Sequence, residues 1–188
     1  MLKYALLGFL RYHALSGYDL MRLMSDSTRN FWHADLSQIY KTLKALEESG
    51  LIESTIEPQS DHPDRRVYTL LEAGQQELAR WLAQPLTEVS PLKESLLLKV
   101  FFGGQGEATA MLTQLRLHRD LHRHNLEHYT VQTPRDIERN LAMVQGSALD
   151  ALCWDATRRA GVLYEEMYLR WLDETISRLE ALIAQGDS

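Results

Sequence analysis

From Leu36 to Ser49, apolar residues recur at three- and four-residue steps. Leu36, Ile39, Leu43 and Leu46 make one stripe, and Ser37, Gln38, Lys41 and Lys44 fall on the other side. The spacing predicts a helix with one buried face, and Gly50 suits the left-handed residue that ends a helix. The period then shortens to two. Leu51 to Glu57 alternates like a strand, Gln59 to Asp64 is turn chemistry, and Arg65-Arg66-Val67-Tyr68-Thr69-Leu70 reads as the return strand.

Upstream, Leu2, Ala5, Leu6, Phe9 and Leu10 predict an amphipathic first helix. Ser16-Gly17 breaks the chain, and Ser16 is a cap for a second helix from Tyr18 to Thr28 that buries Leu20, Met21 and Met24. Downstream, Glu72 to Gln84 is helical again, with Leu78, Trp81 and Leu82 facing inward. Three helices, a two-stranded wing and a closing helix make a winged helix-turn-helix domain over residues 1–85.

Pro85 to Pro91 is the clearest linker, because both prolines resist helix continuation. Residues 92–185 read as a helical domain. Leu92, Leu96, Leu97, Val100 and Phe101 stripe a short helix ending at Gly103-Gly104, and a longer helix runs from Gly106 to about Tyr129. Thr133-Pro134 interrupts, and Asp136 to Ala184 stays helical with a bend near Gly146 or Gly161. Tyr164, Tyr168, Trp171, Leu172, Ile176, Leu179 and Ile183 form its apolar side. That seam calls for a partner helix from a second subunit, which makes the chain a homodimer; an intramolecular bundle is the alternative. The fold class expected is mainly α with a small β-wing.

Composition narrows the function. The 188 residues carry ordinary apolar and charged fractions, 45% and 24%, with one cysteine, Cys153, which excludes an internal disulfide. No apolar run approaches the roughly 20 residues that span a bilayer, and the amino terminus lacks a signal peptide's apolar stretch, so a cytoplasmic protein is expected. The net charge is −6; residues 1–85 hold nine basic and eleven acidic residues, and the remainder eleven and fifteen. Neither half is basic, so any contact with DNA is a local patch on an acidic body.

That patch is legible. A helix whose outer face is Ser, Gln and Lys, beside a hairpin with paired arginines, suits a major-groove reader whose wing meets phosphates of double-stranded DNA. Ser37, Gln38 and Lys41 are candidates for bases or phosphates, and Lys44 for phosphate. Tyr40 offers either a phosphate-facing hydroxyl or a core ring. Arg65 and Arg66 are candidates for the backbone or minor groove, or partners for Asp61 or Asp64. A winged-helix protein-interaction module without DNA binding is the rival reading, favoured by the acidic balance.

Other chemistry is sparse. His118/His122 and His124/His128 are four-residue pairs, but they point to different sides of a helix and lack a completing cysteine, so no metal is expected. Gly103-Gly104-Gln105-Gly106 lacks the Lys-Ser/Thr of a phosphate loop, and Glu165-Glu166 diverge on a helix. The expectation is not an enzyme and no cofactor. Trp81, Trp154 and Trp171 are candidates to line an aromatic effector pocket, with core packing as the plainer role.

Gly17-Tyr18-Asp19-Leu20, Ile39-Tyr40-x-x-Leu43-x-x-Leu46, Gly50-Leu51-Ile52, and Arg66-x-Tyr68-x-Leu70 through Gly74 resemble the PadR family of transcriptional regulators. Gly161-Val162 through Trp171-Leu172-Asp173-Glu174 and Leu179-Glu180-Ala181-Leu182 are similar to the carboxy-terminal helical domain of its larger, AphA-like members. The resemblance covers nearly the whole chain. It implies a dimeric repressor or activator on a pseudo-palindromic operator, dimerised through the long last helix and released from DNA by a small aromatic effector.

Overall fold

The computed structural model describes residues 1–28, 31–32, 34–58, 64–89 and 92–186. The chain divides into two compact units, Met1–Val89 and Ser90–Ser188. The expected wing tip at Asp61-His62-Pro63 and the linker's Pro91 lie outside the described residues.

In the first unit, α1 (Leu2–Leu10), α2 (Gly17–Ser27), α3 (Leu36–Glu48) and α4 (Glu72–Ala83) surround a small sheet. Its core joins Leu6, Leu7 and Leu10 of α1, Leu20 and Met24 of α2, and Ile39, Leu43 and Leu46 of α3, with Ile52, Tyr68, Leu70 and Leu78. Of the α3 stripe read from sequence, Ile39, Leu43 and Leu46 are buried and Leu36 is half-buried, and Gly50 ends the helix at a positive φ of 66°. Strands β2 (Ile52–Glu57) and β3 (Arg65–Leu70) pair antiparallel, from Ile52 opposite Leu70 to Glu57 opposite Arg65.

Two expectations need correction here. Leu15–Ser16 is a short strand, β1, on the other edge of β3, so the sheet has three strands. Two residues carry too little alternation to be read as a strand. Ser16 is also the cap of α2, in a reciprocal box with Asp19. Leu82 is 67% exposed, not inward-facing, because α4 packs through Gly74 and Leu78. Trp81 does face the core, stacked on Tyr4 with ring centroids 4.5 Å apart and planes 8° from parallel.

The second unit is helical. α5 (Ser95–Phe101) leads through a 3-10 turn at Gly103–Gln105 to α6 (Ala108–Glu127), α7 (Thr133–Val144) and α8 (Ala148–Ala184). Of the expected apolar stripe, Leu96 of α5 is buried and Val100 packs against the same core, while Leu92, Leu97 and Phe101 are exposed. Thr133-Pro134 does not break the chain. His128–Gln132 forms a π-turn between α6 and α7, so the missing proline amide is accommodated by widening one turn. The bend falls at Gln145, which takes the left-handed conformation, before Ser147 caps α8 with Asp150.

Gly161, the other candidate bend, sits inside α8 as a contact point. A Cβ there would lie 2.8 Å from the Tyr129 ring, so only glycine lets that buried tyrosine reach the helix. The seam read as wanting a second subunit is largely covered by the chain itself. Leu96 and Leu115 enclose Tyr168, Leu172 and Ile176, with Trp171 and Leu179 packed at the edge. The intramolecular alternative therefore describes that side of α8. The same helix carries a second stripe: Leu149, Leu152, Leu163 and Met167 project within about 60° of one another, and each is at least half exposed.

Candidate nucleic-acid interface

The surface of α3 follows from its period. With Ile39, Leu43 and Leu46 buried, Ser37, Tyr40, Lys41 and Lys44 lie on the exposed side, within about 100° of one another. Gln38 is exposed too, but its side chain is already engaged within the helix end. Its Oε1 accepts from the Asp35 amide at 3.3 Å, closing a capping box with Asp35. Lys44 lies 3.8 Å from Glu48, and both side chains are largely exposed, so the pair contributes little and yields readily to another anion.

Tyr40 packs one side of its ring on the domain without entering the core. Its ring lies against Gly17, where a Cβ would come within 2.5 Å of Cε1, yet the residue is 46% exposed. The first residue of α2 is thus shaped to hold the tyrosine against the helix-turn-helix while part of it faces solvent.

The wing arginines find partners within the first unit. Neither turns to Asp64, and Asp61 is outside the described residues. Arg65 pairs through Nη2 with Asp19, the residue of α2 that completes the capping box with Ser16. Arg66 donates from Nη2 to Glu47 Oε2 at 2.7 Å and from Nε to Ser54 Oγ at 2.8 Å, with its guanidinium 5.6 Å from the Tyr68 ring centroid. Adjacent residues of a strand point to opposite faces, so the two arginines grip different helices. Asp19 could have been singled out from its capping-box spacing to Ser16; Glu47 lies 19 positions from Arg66 and gives no local signal.

These contacts set protonation. Burial pushes the Asp19 carboxyl up, but hydrogen bonds from Ser16 and Arg65 outweigh it and hold the group below its ordinary value. The hydrogen bond from Ser54, opposed by burial and aided by Arg66, holds Glu47 low as well. Burial raises the Tyr68 phenol.

The aromatic candidates are divided between the two units, and the histidine candidates belong to the second. Trp81 belongs to the first unit, and Trp154 and Trp171 both stand on α8. Seventeen residues of helix separate that pair by about 25 Å, so the two do not line one small pocket. Trp171 meets Tyr168 edge-on at 5.1 Å. His122 stacks on Tyr168 at 4.0 Å and pairs through Nδ1 with buried Glu165, whose other oxygen accepts from Asn125 Nδ2 at 3.3 Å. The expected surface stripe of histidines is, at His122, part of the α6–α8 packing. Burial raises the Tyr168 and Tyr164 phenols, and pushes Tyr129 up to about 12. Of the expected interface set, Tyr168 and Leu172 are interior, Trp171, Leu179 and Ile183 half-buried, and Tyr164 at the surface.

A helix-turn-helix backed by a winged sheet and closed by a fourth helix defines a winged-helix regulator. Residues 6–80 match the Transcriptional regulator PadR-like family, and residues 92–180 match Virulence activator alpha C-term. The chain is 34% identical to Probable transcriptional regulator Rv1176c of Mycobacterium tuberculosis over 95% of its own length and 97% of that protein's. It is 41% identical to Negative transcriptional regulator PadR of Bacillus subtilis over 54% of its length and 56% of the relative's. The structure of that Bacillus protein in complex with operator DNA superposes with a TM-score of 0.81 at 26% identity, over 95% and 97% of the two chains. A further structure of it holds p-coumaric acid, with a TM-score of 0.71 at 24% identity over 95% and 98%. The Vibrio cholerae virulence activator AphA gives 0.72 at 25% identity, over 97% and 99%. The chain belongs to the PadR-like family of transcriptional regulators.

Proposed function

We propose that the chain is a sequence-specific DNA-binding regulator that acts as a homodimeric repressor on a pseudo-palindromic operator. The observation that carries the reading is the outer face of α3, where Ser37, Tyr40, Lys41 and Lys44 stand exposed on a helix whose opposite side buries Ile39, Leu43 and Leu46. Such a helix fits the major groove, with lysines for phosphate and polar side chains for base edges. A relative of the same fold solved on operator DNA supports the assignment, and a relative named a negative regulator supports repression.

The second unit supplies the dimer. Leu149, Leu152, Leu163 and Met167 on α8, with Leu117 and Leu121 on α6, form apolar surface of the kind that marks subunit contacts. No helix of the described residues is long and apolar enough to cross a membrane. We assign the protein to the cytoplasm, where its DNA is, and give it no catalytic role. Because a relative binds p-coumaric acid, a small aromatic effector that lowers operator affinity completes the proposal.

The test is selection of duplexes from a random-sequence library by the full-length chain, followed by mobility shifts across a salt series. Enrichment of an inverted repeat, with affinity falling steeply as salt rises, is expected. Failure to enrich any sequence would overturn the reading.

A further inference from the structure

We propose that Glu47 is a positioning residue for operator recognition: with Ser54 it holds Arg66, and so fixes the root of the wing to the C-terminal end of α3. The inference rests on the DNA-binding reading above and concerns what the wing arginines do within it.

Three elements meet at this point. Glu47 stands in the last turn of α3, Ser54 on β2 and Arg66 on β3. Ser54 lies opposite Tyr68 and Arg66 opposite Ile56, so Ser54 and Arg66 are diagonal neighbours on one face of the hairpin. Arg66 reaches both partners, at 2.7 Å to Glu47 Oε2 and 2.8 Å to Ser54 Oγ, while the Ser54 hydroxyl donates to Glu47 Oε1. The three hydrogen bonds close a ring. On the other face of β3, Arg65 is tied to Asp19, itself bound to Ser16 at the start of α2. The strand is therefore held from both sides, to the two helices of the helix-turn-helix.

Stability is a poor explanation for the ring. Arg66 and Glu47 side chains are 54% and 29% exposed, and pairs at such sites contribute little to folding. Direction is a better one. A two-stranded hairpin has little rigidity of its own, and a wing must meet the duplex at a fixed distance from the helix beside it. An arginine held at two nitrogens, by a carboxylate and by a hydroxyl, is a rigid strut for that purpose. Arg66 is then spent on the protein, not on phosphate, and the hydrogen bond from Ser54, with Arg66, holds the Glu47 carboxyl below its ordinary value.

The two roles separate experimentally. Full-length Glu47→Gln, Arg66→Gln and the double variant are measured on the duplex selected by the unmodified chain, across a salt series, with melting temperatures recorded. If Arg66 is a strut, each single variant loses affinity by a similar factor, on the order of tenfold, and the double variant loses no more than either. The slope of log affinity against log salt stays that of the unmodified chain, and melting temperatures move little. Swapping the pair, Glu47→Arg with Arg66→Glu, restores part of the loss. The inference is overturned if Glu47→Gln binds as well or better, if Arg66→Gln flattens the salt slope by about one unit, or if the single losses add. Selection of no sequence by the unmodified chain would overturn the DNA reading itself, and this inference with it.

Discussion

The ring of Tyr40 occupies the space in which Gly17 would carry a side chain, with Cε1 2.5 Å from the ideal Cβ position. Two motifs far apart in sequence, the glycine that opens α2 and the tyrosine in the middle of α3, are thus two sides of one contact. Gly17→Ala should push the ring outward and strain the α2–α3 packing. A loss of about 1–3 kcal/mol is expected, with weakened operator binding at temperatures where the variant is still folded. Chemical denaturation and mobility shift measure the two effects; an alanine variant as stable and as tight-binding as the parent would refute the contact's importance.

Lys41 stands exposed at the centre of the α3 outer face. Lys41→Ala should leave the melting temperature within experimental error and weaken operator binding, flattening the salt slope by roughly one unit. A slope identical to the parent's would remove the lysine from phosphate contact.

The periodic helices, the wing strands and the winged-helix order were legible because burial imposes a period on each. Ile39, Leu43 and Leu46 are the α3 core, and β3 runs over the residues read as a strand. Contacts between distant residues were not legible. Arg66 and Glu47 give no periodic signal of their joining, and β1 is too short to alternate. On α8 the aromatic side was read as an interface because nothing in the sequence tells that α6 returns to cover Tyr168 and Leu172. The less conspicuous stripe of Leu149, Leu152, Leu163 and Met167 is what stays open.

Acid should loosen the winged-helix unit. Asp19 and Glu47 both titrate below their ordinary values of 3.8 and 4.5, and Asp19, held also by the Ser16 amide and hydroxyl, carries most of the effect. A depressed folded-state value means that the unfolded chain binds protons first, so the stabilisation is complete above the ordinary values. It is lost as pH falls through the lower, folded ones. The melting temperature of the full chain should therefore drop on acidification below about pH 4. Asp19→Asn with Glu47→Gln should show a smaller drop than the parent. An equal drop in both would assign the acid transition to other carboxylates.

The α8 stripe makes a prediction about assembly. Leu152→Glu and Leu163→Glu each place a charge on a surface proposed to pack against another copy, where an unpaired buried charge costs several kcal/mol. Neither disturbs the interior, because both side chains are more than half exposed, 67% and 51%. Sedimentation should show a dimer for the parent and a monomer for each variant, with helical content unchanged. The monomers should bind the operator poorly, having lost the linked second half-site. Variants that sediment with the parent would place the interface elsewhere.

A planar phenolic acid, p-coumaric acid first, should bind the chain and lower its operator affinity. The relative solved with that compound motivates the choice. For a tenfold loss of DNA affinity, the ligand need only favour the non-binding arrangement by about 1.4 kcal/mol. Tryptophan fluorescence reports the event, and the positions of the indoles make it informative. Trp81 is stacked on Tyr4 in the first unit, and Trp171 is edge-on to Tyr168 in the second. Since Trp154 and Trp171 stand about 25 Å apart on α8, one small molecule contacts at most one of them. Quenching should accordingly disappear in only one of Trp154→Phe and Trp171→Phe, or persist in both if Trp81 is the reporter. The same titration in the presence of labelled operator must show DNA release over the same concentration range. Quenching with no release would leave a ligand site without a regulatory role, and no quenching would remove phenolic acids as effectors of this regulator.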